Sequence, residues 1–269
     1  MPRIVGMELR DRALGAFCLA KPHDKVVAVQ ALWLASAGLA CDCDRIFAPP
    51  PAPGRPSQPL LVAHALVPRR SPFTPLGHAA LMHSIAHIEF NAINLALDAV
   101  WRFADMPEAY YRDWLRVAAE EAKHFALLQA HLQSLGHTYG DFDAHDGLWT
   151  MCVATEDDVL ARMALVPRTL EARGLDATPL IQAKLRKVAT PAALAAVDIL
   201  DTILAEEVGH VAIGNHWFQW LCQRDGVDGA AFYPEAALRY RAPSLKPPFN
   251  LVARRAAGFT AAEIAALQQ

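Results

Sequence analysis

The chain has 269 residues, 54% of them hydrophobic, which is enough for a sizeable core and excludes global disorder. A net charge of −3 excludes a broad basic field for nucleic acid and leaves room only for a local patch. Five cysteines, odd in number and irregularly spaced, exclude a disulfide scaffold. Cys41 and Cys43, one residue apart, form neither a redox pair nor a zinc knuckle and read as reduced thiols.

Residues 8–40 carry apolar positions at helical spacing. Glu8, Arg10, Asp11 and Arg12 open a first helix, Pro22 breaks it, and a second runs from about Asp24 to Leu39. The charged start, through Gly15, lacks a signal-peptide layout. Val26–Cys41, interrupted by Gln30 and Ser36, is too short to span a bilayer. A soluble, cytoplasmic protein without a membrane partner is expected. Residues 46–75 hold Pro49, Pro50, Pro51, Pro53, Pro56, Pro59, Pro68, Pro72 and Pro75, so this segment reads as an extended strap. Its Leu60, Leu61, Val62, Leu66 and Val67 suggest that it lies on the body of the protein.

Four long helices follow. Helix A spans about Leu76 to Phe103. Helix B starts near Pro107, a favoured first-turn residue, and ends near Gly136, a natural C-cap. Gly136–Thr155 reads as a long connection. Helix C starts at Thr155, an N-cap backed by Glu156, Asp157 and Asp158, is kinked by Pro167 and ends at Gly174. Asp176–Val188 suggests a short helix. Helix D runs from Thr190 and Pro191 to about Arg224, and a closing helix from Thr260 to Leu267. No strand-like alternation stands out. The fold class is all-α, with three expected regions: 1–75 (N-terminal helices and strap), 76–225 (a four-helix bundle) and 226–269 (a C-terminal extension).

The chemistry sits on these helices in a repeating order. Helix A carries Glu89, helix B carries Glu121-Ala122-Lys123-His124, helix C carries Glu171, and helix D carries Glu207-Val208-Gly209-His210. A three-residue spacing puts the glutamate and histidine of each pair on one helix face, within reach of one metal ion. The pairs interrupt apolar stripes: Trp114, Val117, Ala118, Phe125 and Leu128 on helix B; Ala196, Ile199, Leu200, Ile203, Val211 and Gly214 on helix D. Glu89 lies in line with Met82, Ala86, Ile93, Ala96 and Val100. A core carboxylate is costly unless paired or bound to a cation, and four facing carboxylates would repel. Two divalent metals offset that charge. Glu120 and Glu206, about 100° round their helices, are outer residues. Asp98 and Asp201 are candidates to orient the imidazoles, with a salt bridge to Arg102 as the plainer role for Asp98. His83 and His87 read as packed or capping histidines. Phosphate loops, Gly-x-Ser-x-Gly and Cys-x-x-Cys are missing from the sequence.

The words around these residues are specific. "HSIAHIEFNAINLALDAVWRF", "YYRDWLRVAAEEAKHFALLQAHLQSLGHTYGDFDAHDGLW", "ARMALVPRTLEARGLDATP" and "ILAEEVGHVAIGNHWFQWLC" resemble a bacterial branch of the ferritin-like superfamily, and the likeness extends to "LVPRR" and "PPFNLVARRAAGF". More remotely, the layout is similar to the di-iron tRNA hydroxylases. The resemblance implies a ferritin-like bundle and a metal set of Glu89, Glu121, His124, Glu171, Glu207 and His210, but no particular substrate. Two metal ions are expected, with iron first and manganese or a mixed pair as alternatives. The expected function is O2-dependent oxidation or hydroxylation of a small organic substrate, with a separate electron donor, in a monomer or dimer. An iron-storage or oxidant-protection protein, or a helical interaction module with a structural metal, are the alternatives. A tRNA substrate would need a basic face, for which Arg162, Arg168, Arg173, Lys184, Arg186 and Lys187 are the candidates.

Overall fold

The computed structural model describes residues 8–48 and 52–267; the charged start through residue 7 and the strap residues Pro49, Pro50 and Pro51 lie outside the described residues. Among the described residues the protein is all-α, as expected. Two isolated β-bridges, Glu8 with Ala40 and Leu61 with Ala144, are its only extended pairings there. The chain splits into two compact units, residues 1–146 and 147–269.

The first unit begins with α1 (Leu9–Phe17) and α2 (Pro22–Ala35). The Glu8 carboxylate caps α1 by accepting from the Arg10 and Asp11 N–H groups at 2.9 and 2.7 Å. After the strap come α3 (Pro75–Arg102), capped by Thr74, and α4 (Glu108–Ser134). Gly136, with φ +77°, ends the hairpin as expected of a C-cap glycine. Every residue of α3 from Glu89 to Trp101 is buried, so this half of the helix is core on all sides, with α1 and α4 packed against it. The end of α3 is tied down by Arg10, which is fully buried. Its guanidinium donates to the carbonyls of Val100 at 3.1 Å, Trp101 at 2.9 Å and Phe103 at 3.1 Å, satisfying orphan acceptors of the last turn.

The strap is held differently from the sequence expectation. Leu60, Leu61 and Leu66 are 54%, 41% and 70% exposed, so its leucines do not fasten it, while Val62 and Val67 are half-buried. Pro53 and Pro59 are buried instead, and the backbone does the anchoring. Gly54 N–H donates to the Phe17 carbonyl at 2.9 Å, Val62 N–H to Ala144 at 2.8 Å and Ala144 N–H to Leu60 at 3.0 Å. Arg55 adds an ion pair to Asp146 at 2.7 Å.

The second unit holds α5 (Gly147–Ala154), α6 (Val159–Leu165), a π-helical turn (Val166–Glu171), α7 (Ala172–Val188), α8 (Pro191–Asp225), α9 (Gly229–Arg239), α10 (Leu251–Ala256) and α11 (Ala261–Ala266). Three sequence expectations are corrected here. The stretch before Thr155 is helical (α5), its residues apolar apart from Thr150. Thr155 is buried and its hydroxyl donates to the Met151 carbonyl at 2.8 Å, so it closes α5. Asp158 is the cap of α6, accepting from Ala161 N–H at 2.8 Å. Gly174 does not end helix C: the helix continues as α7 to Val188. The kink at Pro167 is present and takes the form of the π turn. The C-terminal extension before Thr260 folds as α9 and α10.

α8 packs against α6, the π turn and α7. The Ala172, Leu175, Val211, Ala253 and Ala257 side chains form a core cluster, and the tail is locked on by Arg254, fully buried and 2.6 Å from Asp176.

Candidate metal centre

Glu89 on α3 and Glu121 and His124 on α4 come together inside the first unit. His124 Nδ1 lies 3.2 Å from Glu89 Oε2 and 3.3 Å from Glu121 Oε2. Glu121 and His124 are fully buried and Glu89 is 5% exposed. One donor atom from each residue falls within 4.8 Å of the others, so this buried cluster can hold a metal ion. The imidazole nitrogen facing the carboxylates is Nδ1, which is the atom an ion there would meet. Why the triad forms is visible in the sequence: the 3.6-residue period puts Glu121 and His124 on one stripe of α4, and the hairpin lays Glu89 opposite.

The electrostatics fit a cation. Burial and the neighbouring Glu121 charge push Glu89 above the usual carboxylate range, against the pull of His124. Burial works against a charge on His124, but hydrogen bonds to Glu121 and Glu89 outweigh it and hold the imidazole protonated. In the metal-free protein that proton serves as the counter-charge. A metal ion would displace it, so binding is coupled to proton release.

The second unit carries the other three residues. Glu207 and His210 sit one turn apart on α8, with His210 Nδ1 3.4 Å from Glu207 Oε1 and His210 fully buried. Glu171 is the last residue of the π turn and is 8% exposed. The turn has a local cause. Pro167 has no N–H to give the helix, and the Thr169 hydroxyl donates to the Ala164 carbonyl at 3.0 Å. The turn also presses on α8: a Cβ on Gly214 would lie 2.4 and 2.5 Å from Pro167 Cβ and Cγ, so only glycine permits this approach.

The candidate orienting residues have other tasks. Asp98 is fully buried and forms a bidentate pair with Arg102, with contacts of 2.8 and 2.9 Å. Asp201 is largely exposed and accepts from Gln182 at 2.7 Å. His83 accepts from the Gly140 N–H at 2.9 Å and stacks on Tyr139. His87 Nδ1 lies 2.8 Å from the Tyr139 hydroxyl, while its Nε2 lies 3.0 Å from Asn91 Nδ2. Both histidines are thus packed, as expected. Sequence spacing gives no hint of Tyr139, which packs near Phe90 and Phe125, each adjacent in sequence to a triad residue. The basic face is also reduced, because Arg162 and Arg168 are buried and only Arg173, Lys184, Arg186 and Lys187 remain exposed. All five cysteines are free, and among the described residues no helix is long and apolar enough to cross a membrane.

Residues 18–265 match a family described as "Protein of unknown function (DUF455)", and the chain belongs to that family. It is 52% identical over 216 residues to an uncharacterized protein of Haemophilus influenzae, an alignment covering 78% of this chain and 74% of the relative. No solved structure matches significantly.

Proposed function

We propose that the protein is a di-iron oxidoreductase with a ferritin-like bundle, in which Glu89, Glu121, His124, Glu171, Glu207 and His210 hold two metal ions. The observation that carries this reading is the buried Glu89, Glu121 and His124 triad, whose donor atoms lie within 4.8 Å of one another. Two buried carboxylates beside one imidazole leave excess negative charge that a divalent ion neutralises. Glu171, Glu207 and His210 repeat the composition in the second unit, and two carboxylates with one imidazole per ion suit iron or manganese better than thiolate-loving metals. When bound, a pair of irons supplies electrons to O2 for oxidation of an organic substrate. The chain's own residues fix the donor positions, keep the imidazoles oriented and exclude bulk water. The substrate is a small organic molecule, and a separate electron donor reduces the centre.

Aerobic mixing of ferrous-loaded protein tests this. The expected result is consumption of at most about one O2 per chain, one for each pair of ferrous ions oxidised, abolished in Glu121→Ala while far-UV circular dichroism stays helical. Continued iron uptake into a large cage would favour the storage alternative, and no reaction with O2 would favour a structural metal.

A further inference from the structure

The C-terminal extension grips the chain on both sides of Glu171. On one side, Arg168 of the π turn is 3% exposed, and its guanidinium donates to Asn215 Oδ1 of α8 and to the Glu263 carboxylate of α11. Asn215, also buried, donates from Nδ2 to the Ala257 carbonyl at 2.6 Å. The same guanidinium lies 4.2 Å from the ring centre of Phe218 and 5.3 Å from that of Phe259. The Thr169 hydroxyl gives its proton to the Ala164 carbonyl, so it accepts from the Tyr233 hydroxyl of α9 at 2.9 Å. On the other side, Ala172 shares a core cluster with Ala253 and Ala257, and its carbonyl accepts from the buried Arg254 at 3.4 Å.

We propose that this grip makes the extension a positioning element: docking of α9, α10 and α11 sets the affinity of the ion held by Glu171, Glu207 and His210, and that ion in turn tightens the docking. The inference rests on the di-metal reading above. A π turn interrupts the regular helical ladder, and Pro167 has no N–H to offer, so side-chain partners hold its shape. Glu171 is the last residue of the turn and moves with it, whereas Glu207 and His210 sit within the long helix α8. A ligand bond tolerates a displacement of only about 0.2 Å. Glu263 is the hub. Its carboxylate pairs with Arg168 and also accepts from the Thr260 N–H and hydroxyl at 2.8 and 2.9 Å, capping α11. Without it, a buried guanidinium loses its counter-charge and the turn loses its outer anchor. Coupling of this kind is reciprocal, so the extension must report the ion as the ion reports the extension.

Full-length protein loaded anaerobically with ferrous ions, in competition with a chelator, provides the test. Wild type is expected to hold two ions. Glu263→Gln should keep one at wild-type affinity and bind the other about tenfold or more weakly, the usual effect of removing a partner behind a ligand. Hydrogen exchange supplies the readout that a merely structural brace would not move. Loading should slow exchange of the Ile264 and Leu267 amides of wild type, and should not do so in Glu207→Ala. Should Glu263→Gln fail to fold, Tyr233→Phe takes its place, with a smaller weakening of the same ion. Two ions held equally tightly by wild type and variant, or tail amides indifferent to loading, would overturn the coupling and leave the di-metal reading standing. Fewer than two ions in wild type would overturn both.

Discussion

At the residue scale, the clearest contrast is between His83, which accepts a hydrogen bond, and His124, which donates to carboxylates. His83 Nε2 accepts from Gly140 N–H, so its neutral form is required, and burial lowers its pKa to about 4. His87, with Asn91 against Nε2, is likewise lowered to about 4, burial again the main cause. An unfolded histidine titrates near 6.5, so between about pH 6.5 and 4 the unfolded chain binds protons that the folded one refuses. Stability from these two groups is therefore complete above pH 6.5 and lost as pH falls towards 4, by no more than about 3 kcal/mol each. Thermal melts of His83→Gln/His87→Gln should start lower at pH 7.5 yet fall less steeply on acidification than wild type. Parallel acid limbs would refute it. The candidate metal-ligand residues are legible from spacing, because Glu and His three apart on an apolar stripe admit few other readings. Tyr139, His87 and Asn91 are not legible as a network, since 48 residues separate Tyr139 from Asn91 and no local period links them.

At the element scale, α3, α4 and α8 are readable to within two residues, because a proline or a capping threonine starts each and apolar periodicity runs through it. Helix C resists reading because its signals conflict. Thr155 has the look of a cap but serves the preceding helix, and Gly174 has the look of a stop but sits in an uninterrupted one. The π turn resolves the conflict, since a helix that must pass Pro167 gains an extra residue there instead of breaking. Its contact with Gly214 makes a direct prediction. Gly214→Ala should destabilise the protein by about 1–3 kcal/mol through overpacking against Pro167. It should also lower metal content, because displacing the turn moves Glu171. A variant with wild-type melting temperature and full metal loading would show that the approach is not tight. A similar argument applies to Arg10: Arg10→Met strips donors from three carbonyls at the end of α3 and should cost about 1–3 kcal/mol or more, read by denaturant unfolding.

At the scale of the whole molecule, the all-α class is legible from composition and periodicity, whereas the strap's attachment is not. Its leucines suggest burial, but backbone pairing with Phe17 and Ala144 and the Arg55–Asp146 ion pair fasten it, and none of these has a sequence period. The central claim is the proposal that six residues, three carried by each unit, hold two metal ions. Elemental analysis of protein reconstituted anaerobically with ferrous ions tests it most directly, comparing wild type with Glu121→Ala and Glu207→Ala. Two irons per chain in wild type and at most one in either variant is the predicted result; two irons retained in either variant, or none in wild type, would contradict it.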